Sequence, residues 1–418
     1  MSKYIIFNDE SAPHLKGAVT VQGSKNGALP LIAAASLTDG EVVLKNCPEI
    51  LDVENMLRIF ESLGGKSERR GKELRLRMEY MNSGEISSAL AGELRSSVFM
   101  LGAILCRVKH AAVAYPGGCD IGLRPIDLHL KAFREMGVKI RDRYGYIRCD
   151  ATNTRAADID LDYPSVGATE NVMMLAAGTH GVTTLKNAAR EPEIVALQQM
   201  INSMGGNVSG AGTPIIRIEG IEKFNGAETT VDFDRIVAGT YMTAVALCGG
   251  DVVFNGADGN QLTALISKLK ASGAEIKCTD NTIEISADGN PIAVGSVETG
   301  AYPGFPTDLQ APFGALAAGS VGSTVIIENI FETRFKYLAE LTKMGASVKV
   351  KDRVAVLNGK RLSGAEVKAM DLRGGAALMV AGLKASGVTV IENARHIQRG
   401  YEAPEEVFSA LGANIVKV

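Results

Sequence analysis

The sequence predicts an α/β protein of two domains with three repeats in each, and three patterns carry that prediction. Six segments with a helix-like amphipathic pattern stop at a glycine, at Gly64, Gly137, Gly205, Gly273, Gly345 and Gly412, which lie 73, 68, 68, 72 and 67 residues apart. Alternating runs follow the stops, such as Ala274-Glu275-Ile276-Lys277-Cys278, with the period of a half-buried strand. A Gly-x-x-x-x-x-Asn motif also recurs, behind stretches rich in alanine and glycine whose small side chains let helices pack closely inside surrounding sheets.

In chain order, the first repeat has the helical stretch Leu31-Ile32-Ala33-Ala34-Ala35, the motif Gly40 to Asn46, and a helix stop at Ser62-Leu63-Gly64. The second stops at Glu135-Met136-Gly137. The third places Leu175-Ala176-Ala177-Gly178 before Gly181 to Asn187 and stops at Ser203-Met204-Gly205. The fourth stops at Ala271-Ser272-Gly273. The fifth has Gly322 to Asn329, with one extra residue, then Lys343-Met344-Gly345 and the strand-like Ala346-Ser347-Val348-Lys349-Val350. The sixth ends at Ala410-Leu411-Gly412. In each, glycine supplies the left-handed residue that closes a helix. A period of about 70 residues exceeds the usual propeller blade or solenoid repeat.

Composition narrows the function. A chain of 418 residues exceeds one ordinary core, which agrees with two domains. The apolar run Val98 to Cys106 is shorter than a membrane span, and Met1 to Glu10 has no signal-peptide pattern, so a soluble cytoplasmic protein with no membrane partner is expected. The net charge of -3 comes from well-mixed residues and leaves no basic stripe for nucleic acid. Six cysteines without a CxxC pair indicate neither a disulfide framework nor a zinc site, and the five histidines form no metal cluster. Without a Walker A sequence or a GxGxxG after a strand, neither ATP nor NAD is expected, and no cofactor is assigned.

The most distinctive chemistry lies in Pro116-Gly117-Gly118-Cys119-Asp120-Ile121-Gly122-Leu123-Arg124-Pro125-Ile126-Asp127. Glycines let a backbone approach a ligand closely, and a nearby arginine both holds anions and favours a thiolate. Cys119 is therefore either a reactive thiol facing an anionic substrate or a small residue in a structural turn.

Together with Gly23-Ser24-Lys25-Asn26-Gly27-Ala28-Leu29-Pro30, Asn187-Ala188-Ala189-Arg190-Glu191-Pro192-Glu193-Ile194, Asp234-Arg235-Ile236, Phe305-Pro306-Thr307-Asp308, Asp371-Leu372-Arg373 and Arg399-Gly400-Tyr401-Glu402, this loop gives the chain a collinear resemblance to the UDP-N-acetylglucosamine 1-carboxyvinyltransferases of the enolpyruvyl transferase family. The resemblance runs from about Val21 to the C-terminus. It implies a two-domain inside-out α/β barrel of the enolpyruvyl transferase type. The six βαβ-containing repeats are then arranged three per domain, with residues 1–22 and 233–418 in one and 23–232, carrying the cysteine loop, in the other. It implies transfer of enolpyruvyl from phosphoenolpyruvate to the 3-hydroxyl of UDP-N-acetylglucosamine with release of phosphate, the first committed step toward peptidoglycan precursors. Two small-molecule substrates are then the partners, in a cleft that closes on the sugar nucleotide, and fosfomycin is the expected inhibitor.

Both substrates are polyanions, and the matched positions supply Lys25, Arg95, Arg124, Arg373 and Arg399. By resemblance Cys119 is the proton donor to the methylene carbon and can form a covalent adduct, and Asp308 is the base near the 3-hydroxyl. Asp308 can also be read as a helix cap after Pro306-Thr307. Asn26 either reads the sugar or makes core hydrogen bonds. The uridine and diphosphate segments match at Arg124, Pro125, Ile126, Asp127 and Leu128 and at Ser165, Val166 and Gly167, where a turn bracketed by Pro164 and Gly167 can present amides to phosphate. Ile330 and Phe331 match apolar uridine contacts, though such a pair after a strand is usually core. The chain departs from the family at Val237, Thr333 and Gln398, where acidic, Asn and Asp residues are commoner. Two alternatives follow: the related enzyme acting on shikimate 3-phosphate, whose signature near the N-terminus differs from Lys25-Asn26-Gly27, and a divergent paralogue with a regulatory role or an altered substrate.

Overall fold

The computed structural model, which describes residues 2–9, 12–93, 98–114 and 126–418, realises all six helix stops in one geometry. Gly64, Gly137, Gly205, Gly273, Gly345 and Gly412 have φ between 86° and 110°. The Gly64 N–H donates to the Glu61 carbonyl at 3.0 Å, and the next N–H, of Gly65, reaches back to the Phe60 carbonyl at 3.1 Å. The same two bonds recur at the other five stops. This double bond satisfies carbonyls that the helix end would leave unpaired, and it requires the left-handed residue.

The Gly-x-x-x-x-x-Asn motif is the second strand of a sheet followed by a latch. Asn46 and Asn187 leave their strands at φ of 54° and 52°, a conformation that Asn tolerates better than most residues. The side-chain amides of Asn46, Asn187 and Asn329 donate to the carbonyls of Val231, Leu161 and Thr299, at 3.0, 2.6 and 3.0 Å. Those carbonyls immediately follow the parallel neighbours Ala227–Thr230, Asp158–Asp160 and Gly295–Glu298. Gly387 to Asn393, with Asn393 at φ 58°, is a further copy that the sequence reading did not single out.

Six four-stranded sheets result, each with one parallel pair followed by two antiparallel neighbours. Asp158–Asp160, Val182–Lys186, Ile215–Glu219 and Asn207–Ser209 are one such sheet. Among the described residues two compact units separate, residues 23–232 and residues 2–22 with 233–418, here the N-terminal and C-terminal units. Each takes a strand from a distant part of the chain. In the N-terminal unit Ala227–Thr230 pairs with Glu41–Lys45, whereas in the C-terminal unit Leu15–Thr20 pairs with Gly250–Asn255 and Tyr4–Asn8 lies between Gly387–Glu392 and Ile415–Lys417.

Six central helices fill the units: α1 (Lys25–Ala35), α2 (Met100–Val108), α3 (Val166–Ala177), α4 (Arg235–Cys248), α5 (Thr307–Gly319) and α6 (Leu372–Lys384). Every residue of α4 is buried, as are Leu372 to Leu383 of α6 and Ala168 to Ala177 of α3. Such all-round burial marks helices enclosed by protein, while the strands bury alternate residues and expose the others. Glycine makes the closest approaches. A Cβ on Gly102 of α2 would lie 2.3 Å from the Asn171 carbonyl oxygen of α3, and one on Gly239 of α4 would lie 2.8 Å from Leu309 of α5. Helices therefore sit inside each unit and sheets outside, a mixed α/β fold of repeated units. No described helix is long and apolar enough to cross a membrane.

Candidate active site

In the C-terminal unit the assigned residues gather at the first turns of α4, α5 and α6. Asp234 caps α4, accepting from Ile236 and Val237 N–H at 2.9 and 3.0 Å, and Asp371 caps α6 in the same way through Arg373 and Gly374. The helix α5 starts at Thr307 without a side-chain cap, so the Asp308 carboxylate is not spent on capping. It is held between two arginines instead. Oδ1 accepts from Arg334 Nη2 at 2.8 Å, and Oδ2 accepts from Arg373 Nε and Nη2 at 3.2 and 3.0 Å. Both arginine side chains are 3% exposed whereas that of Asp308 is 25% exposed, so the carboxylate is the accessible member of the triad.

Burial alone would lower the Arg373 pKa, but Asp308, Tyr401 and Asp234 outweigh it and the group stays charged, above its ordinary value. Its guanidinium carbon lies 5.5 Å from the Tyr401 ring centre, and the Tyr401 hydroxyl is 2.8 Å from Thr240 Oγ1. Arg373 Nη1 and Arg334 Nε are fully buried, and Arg373 also interacts with the Tyr401 hydroxyl, so both guanidiniums are packed in place beside the Asp308 carboxylate. Arg399 is half-buried at the end of the short helix Arg395–Gln398 and two residues before Tyr401. Buried Gln22 fixes that segment, donating to the Gly400 carbonyl at 3.2 Å and accepting from Glu402 N–H at 2.8 Å.

Ile330 and Phe331 are organised by Glu328, a fully buried carboxylate. Its Oε1 accepts from the N–H groups of Ile330 and Phe331 at 2.9 and 3.0 Å and from the hydroxyls of Thr299 and Thr307, both at 3.0 Å. One side chain thus ties the start of α5 to the apolar segment.

In the N-terminal unit Ser24 caps α1 by accepting from Gly27 N–H at 3.0 Å, which places Lys25 and Asn26 in the first turn. Lys25 Nζ donates to Asp52 Oδ2 at 3.0 Å, with the aspartate side chain 1% exposed. Asn26 is half-buried in the same turn. Ser165, Val166 and Gly167 do not form a free turn; Ser165 caps α3 and the other two open it. Gly167 is needed for space, because a Cβ there would lie 2.7 Å from the Phe99 ring and 3.0 Å from the His129 imidazole. Asn171 ties these pieces together. Its Oδ1 accepts from Gly102 N–H at 2.6 Å, and its Nδ2 meets the Val98 carbonyl at 3.0 Å and His129 Nδ1 at 2.9 Å. Burial pushes the His129 pKa down to about 4, so the ring is neutral, and the Asn171 Nδ2 donor facing Nδ1 suits the tautomer in which Nδ1 accepts. Ile126 is buried beside this group, Leu128 is half-buried, and Asp127 is exposed.

Cys119, Arg95, Arg124 and Pro125 lie outside the described residues. Sequence reasoning missed Arg334, Asp52, Glu328 and Asn171, which touch the assigned residues without belonging to a recognisable motif. Val237, one of the departures, is fully buried in α4. Burial raises the thiol pKa of Cys106 to about 11 and those of Cys149 and Cys248 to about 12, while Cys278 is exposed and Cys47 buried. No group of residues that could hold a metal ion occurs among the described residues.

The family model of EPSP synthase (3-phosphoshikimate 1-carboxyvinyltransferase) matches residues 10–408. A relative called UDP-N-acetylglucosamine 1-carboxyvinyltransferase 2, from Caldanaerobacter subterraneus subsp. tengcongensis, is 46% identical over 413 residues, which is 99% of each chain. The UDP-N-acetylglucosamine 1-carboxyvinyltransferase of Thermotoga maritima is 45% identical with 96% of each chain covered. Among solved structures, the enolpyruvyl transferase NikO of Streptomyces tendae superposes with a TM-score of 0.89 at 24% identity, over 100% of this chain and 99% of that one. An EPSP synthase from Acinetobacter baumannii gives 0.75 at 20% identity over the whole of both chains.

Proposed function

We propose that this chain, which belongs to the enolpyruvyl transferase family that includes EPSP synthase and the UDP-N-acetylglucosamine 1-carboxyvinyltransferases, transfers enolpyruvyl from phosphoenolpyruvate to the 3-hydroxyl of UDP-N-acetylglucosamine. The observation that carries the reading is the run of UDP-N-acetylglucosamine 1-carboxyvinyltransferases 42–46% identical over 96–100% of the chain. The domains of this enzyme are then the two compact units.

In the proposed reaction the 3-hydroxyl oxygen attacks C2 of phosphoenolpyruvate while the Cys119 thiol delivers a proton to the methylene carbon. Asp308 takes the hydroxyl proton. The resulting tetrahedral ketal loses a proton from its new methyl group and expels phosphate, which restores the double bond and gives the enol ether. Two guanidiniums fix the Asp308 carboxylate in place for the transfer of the hydroxyl proton. The cationic side chains of Arg373 and Arg399, with Lys25, Arg95 and Arg124, suit the carboxylate and phosphates of two polyanions. Asn26 and the first turn of α3, at Ser165, Val166 and Gly167, are assigned to the sugar nucleotide, as are Asp127, Leu128, Ile126, Pro125, Ile330 and Phe331.

Phosphate release from phosphoenolpyruvate tests the reading when UDP-N-acetylglucosamine and shikimate 3-phosphate are compared side by side. Release only with the sugar nucleotide is expected. Release with shikimate 3-phosphate, or with neither acceptor, overturns it.

A further inference from the structure

We propose that the outer face of the middle sheet of the N-terminal unit holds a second ligand site, for a small phosphorylated sugar or polyol. The sheet joins Glu85–Ile86, His110–Ala114, Tyr146–Asp150 and Lys139–Arg143 in that order. A cavity of about 460 Å³ opens on it, in the size range of small-molecule sites.

Comparison of the repeats shows how the cavity arises. The central row of each sheet can be read across its second, third and fourth strands. It is Val43, Arg75 and Glu68 in the first sheet of this unit and Thr184, Arg217 and Ser209 in the third. In the C-terminal unit the rows are Val253, Glu284 and Lys277, then Val325, Val356 and Lys349, then Val390, Ile5 and Val416. In the middle sheet the row is Ala112, Arg148 and Arg141. Alanine replaces a β-branched residue, which removes the floor. Two arginines stand directly opposite each other where the first and fourth sheets set opposite charges.

Like charges in that position destabilise a sheet unless something neutralises them. The first sheet neutralises its arginines internally, with Arg75 on Glu41 and Glu73 and Arg77 on Glu41. Arg141 and Arg148 have no carboxylate within ion-pair distance among the described residues, Arg148 lying 5.8 Å over the Tyr146 ring, and Lys139 faces Asp150 only at longer range; all three line the cavity. Asp150, the carboxylate beside Lys139, instead accepts from Thr152 N–H and Oγ1 at 3.0 and 2.6 Å and lies 3.8 Å from His110 Nδ1.

Two guanidinium forks and an ammonium around an open floor match a phosphate dianion, which arginine grips bidentately. Glu85 and Asp150 line the same cavity, Asp150 directly across from Lys139, so a ligand that is anionic throughout fits poorly. Their carboxylates accept from hydroxyl groups. The ligand therefore carries both a phosphate and hydroxyls.

Calorimetric titration of the full chain with glucose 6-phosphate, inorganic phosphate and glucose tests this. Glucose 6-phosphate should bind more tightly than phosphate, and glucose should give no heat. Arg148→Gln, a change on the exposed face, should weaken glucose 6-phosphate by about tenfold or more, as loss of one charge-assisted pair implies. Ala112→Leu should abolish that binding by filling the floor. Affinities unchanged in Arg148→Gln, or no binding of either phosphate to the parent chain, overturn the proposal. Equal affinity for inorganic phosphate and glucose 6-phosphate overturns the assignment of hydroxyls to the ligand.

Discussion

Replacing Asp308 by asparagine separates its structural and chemical roles, because the structure sets a separate magnitude for each. The carboxylate accepts three hydrogen bonds from two arginines that are almost fully buried. Asparagine keeps one acceptor oxygen but turns an N–H₂ donor toward a guanidinium. Breaking a buried pair costs about 3–5 kcal/mol; with a quarter of the Asp308 side chain exposed, about 2–3 kcal/mol is the reasonable loss. For a folding unit of about 200 residues that lowers Tm by roughly 5–10 °C. Turnover should fall by about 10²-fold or more if the carboxylate also accepts the hydroxyl proton, with sugar-nucleotide binding retained. Melting curves, calorimetric titration with UDP-N-acetylglucosamine and kcat, all measured well below the variant's Tm, give the three readings. A lowered Tm with kcat within about threefold of the parent would show that Asp308 is only the counter-ion of Arg334 and Arg373, and would refute the base assignment.

Fosfomycin should add once to the intact chain, at Cys119: burial keeps the thiols of Cys106, Cys149 and Cys248 protonated near neutral pH, leaving exposed Cys278 as the informative competitor in peptide mapping. An adduct on Cys278 would remove the special status of the glycine loop. Gly273→Ala should cost about 1–2 kcal/mol in urea unfolding, because φ is 107° while an added Cβ meets nothing within 4 Å, so the cost is purely conformational. An unchanged midpoint would mean that the helix stop does not need its left-handed residue.

The repeats were legible because they rest on local rules. A helix that must turn back onto a sheet needs a left-handed residue, and glycine at all six stops announces it. The Asn of the strand motif was equally visible, but its purpose was not. Its amide bonds to a carbonyl 26 residues away at Asn187 and 185 residues away at Asn46, and no local pattern encodes that partner. The resemblance returns residues 1–22 to the C-terminal half, but the pairing of Tyr4–Asn8 with Gly387–Glu392 is not legible for the same reason, since it is set by closure of the sheet.

Many of the candidate site residues that the sequence singles out open a buried helix. A helix enclosed on all sides tolerates charge mainly at its first turn, where unpaired N–H groups and the dipole's positive end face outward. Lys25 and Asn26, Ser165, Thr307 and Asp308, and Arg373 all occupy such turns. The missed residues act from other elements. Asp52 stands in the helix Leu51–Ser62 and holds Lys25, and Arg334 lies outside any helix and holds Asp308. Partners of this kind become visible only when the fold brings them together.

Glu170 breaks that rule, and its consequence can be measured. It sits in the second turn of α3, 1% exposed, with neither carboxylate oxygen hydrogen-bonded among the described residues. Burial, then the charges of Glu193 and Glu191, hold its pKa well above 4.5. A carboxyl raised in the folded state stabilises fully below the unfolded value and loses that contribution as pH rises through the folded one, because the unfolded chain ionises first. His129 in the same unit does the opposite. With its pKa lowered from 6.5 to about 4, it holds full stability above about 6.5 and loses it toward pH 4, by about 3 kcal/mol. Between about pH 4.5 and 6.5 the two slopes therefore oppose each other. Glu170→Gln, which keeps the volume and removes the titration, should expose the His129 slope in that window and make the variant gain on the parent as pH rises. Urea midpoints measured from pH 4 to 9 would show it. Parallel curves for parent and variant would mean that Glu170 is ionised in the folded chain, and that a cation near α3 compensates it.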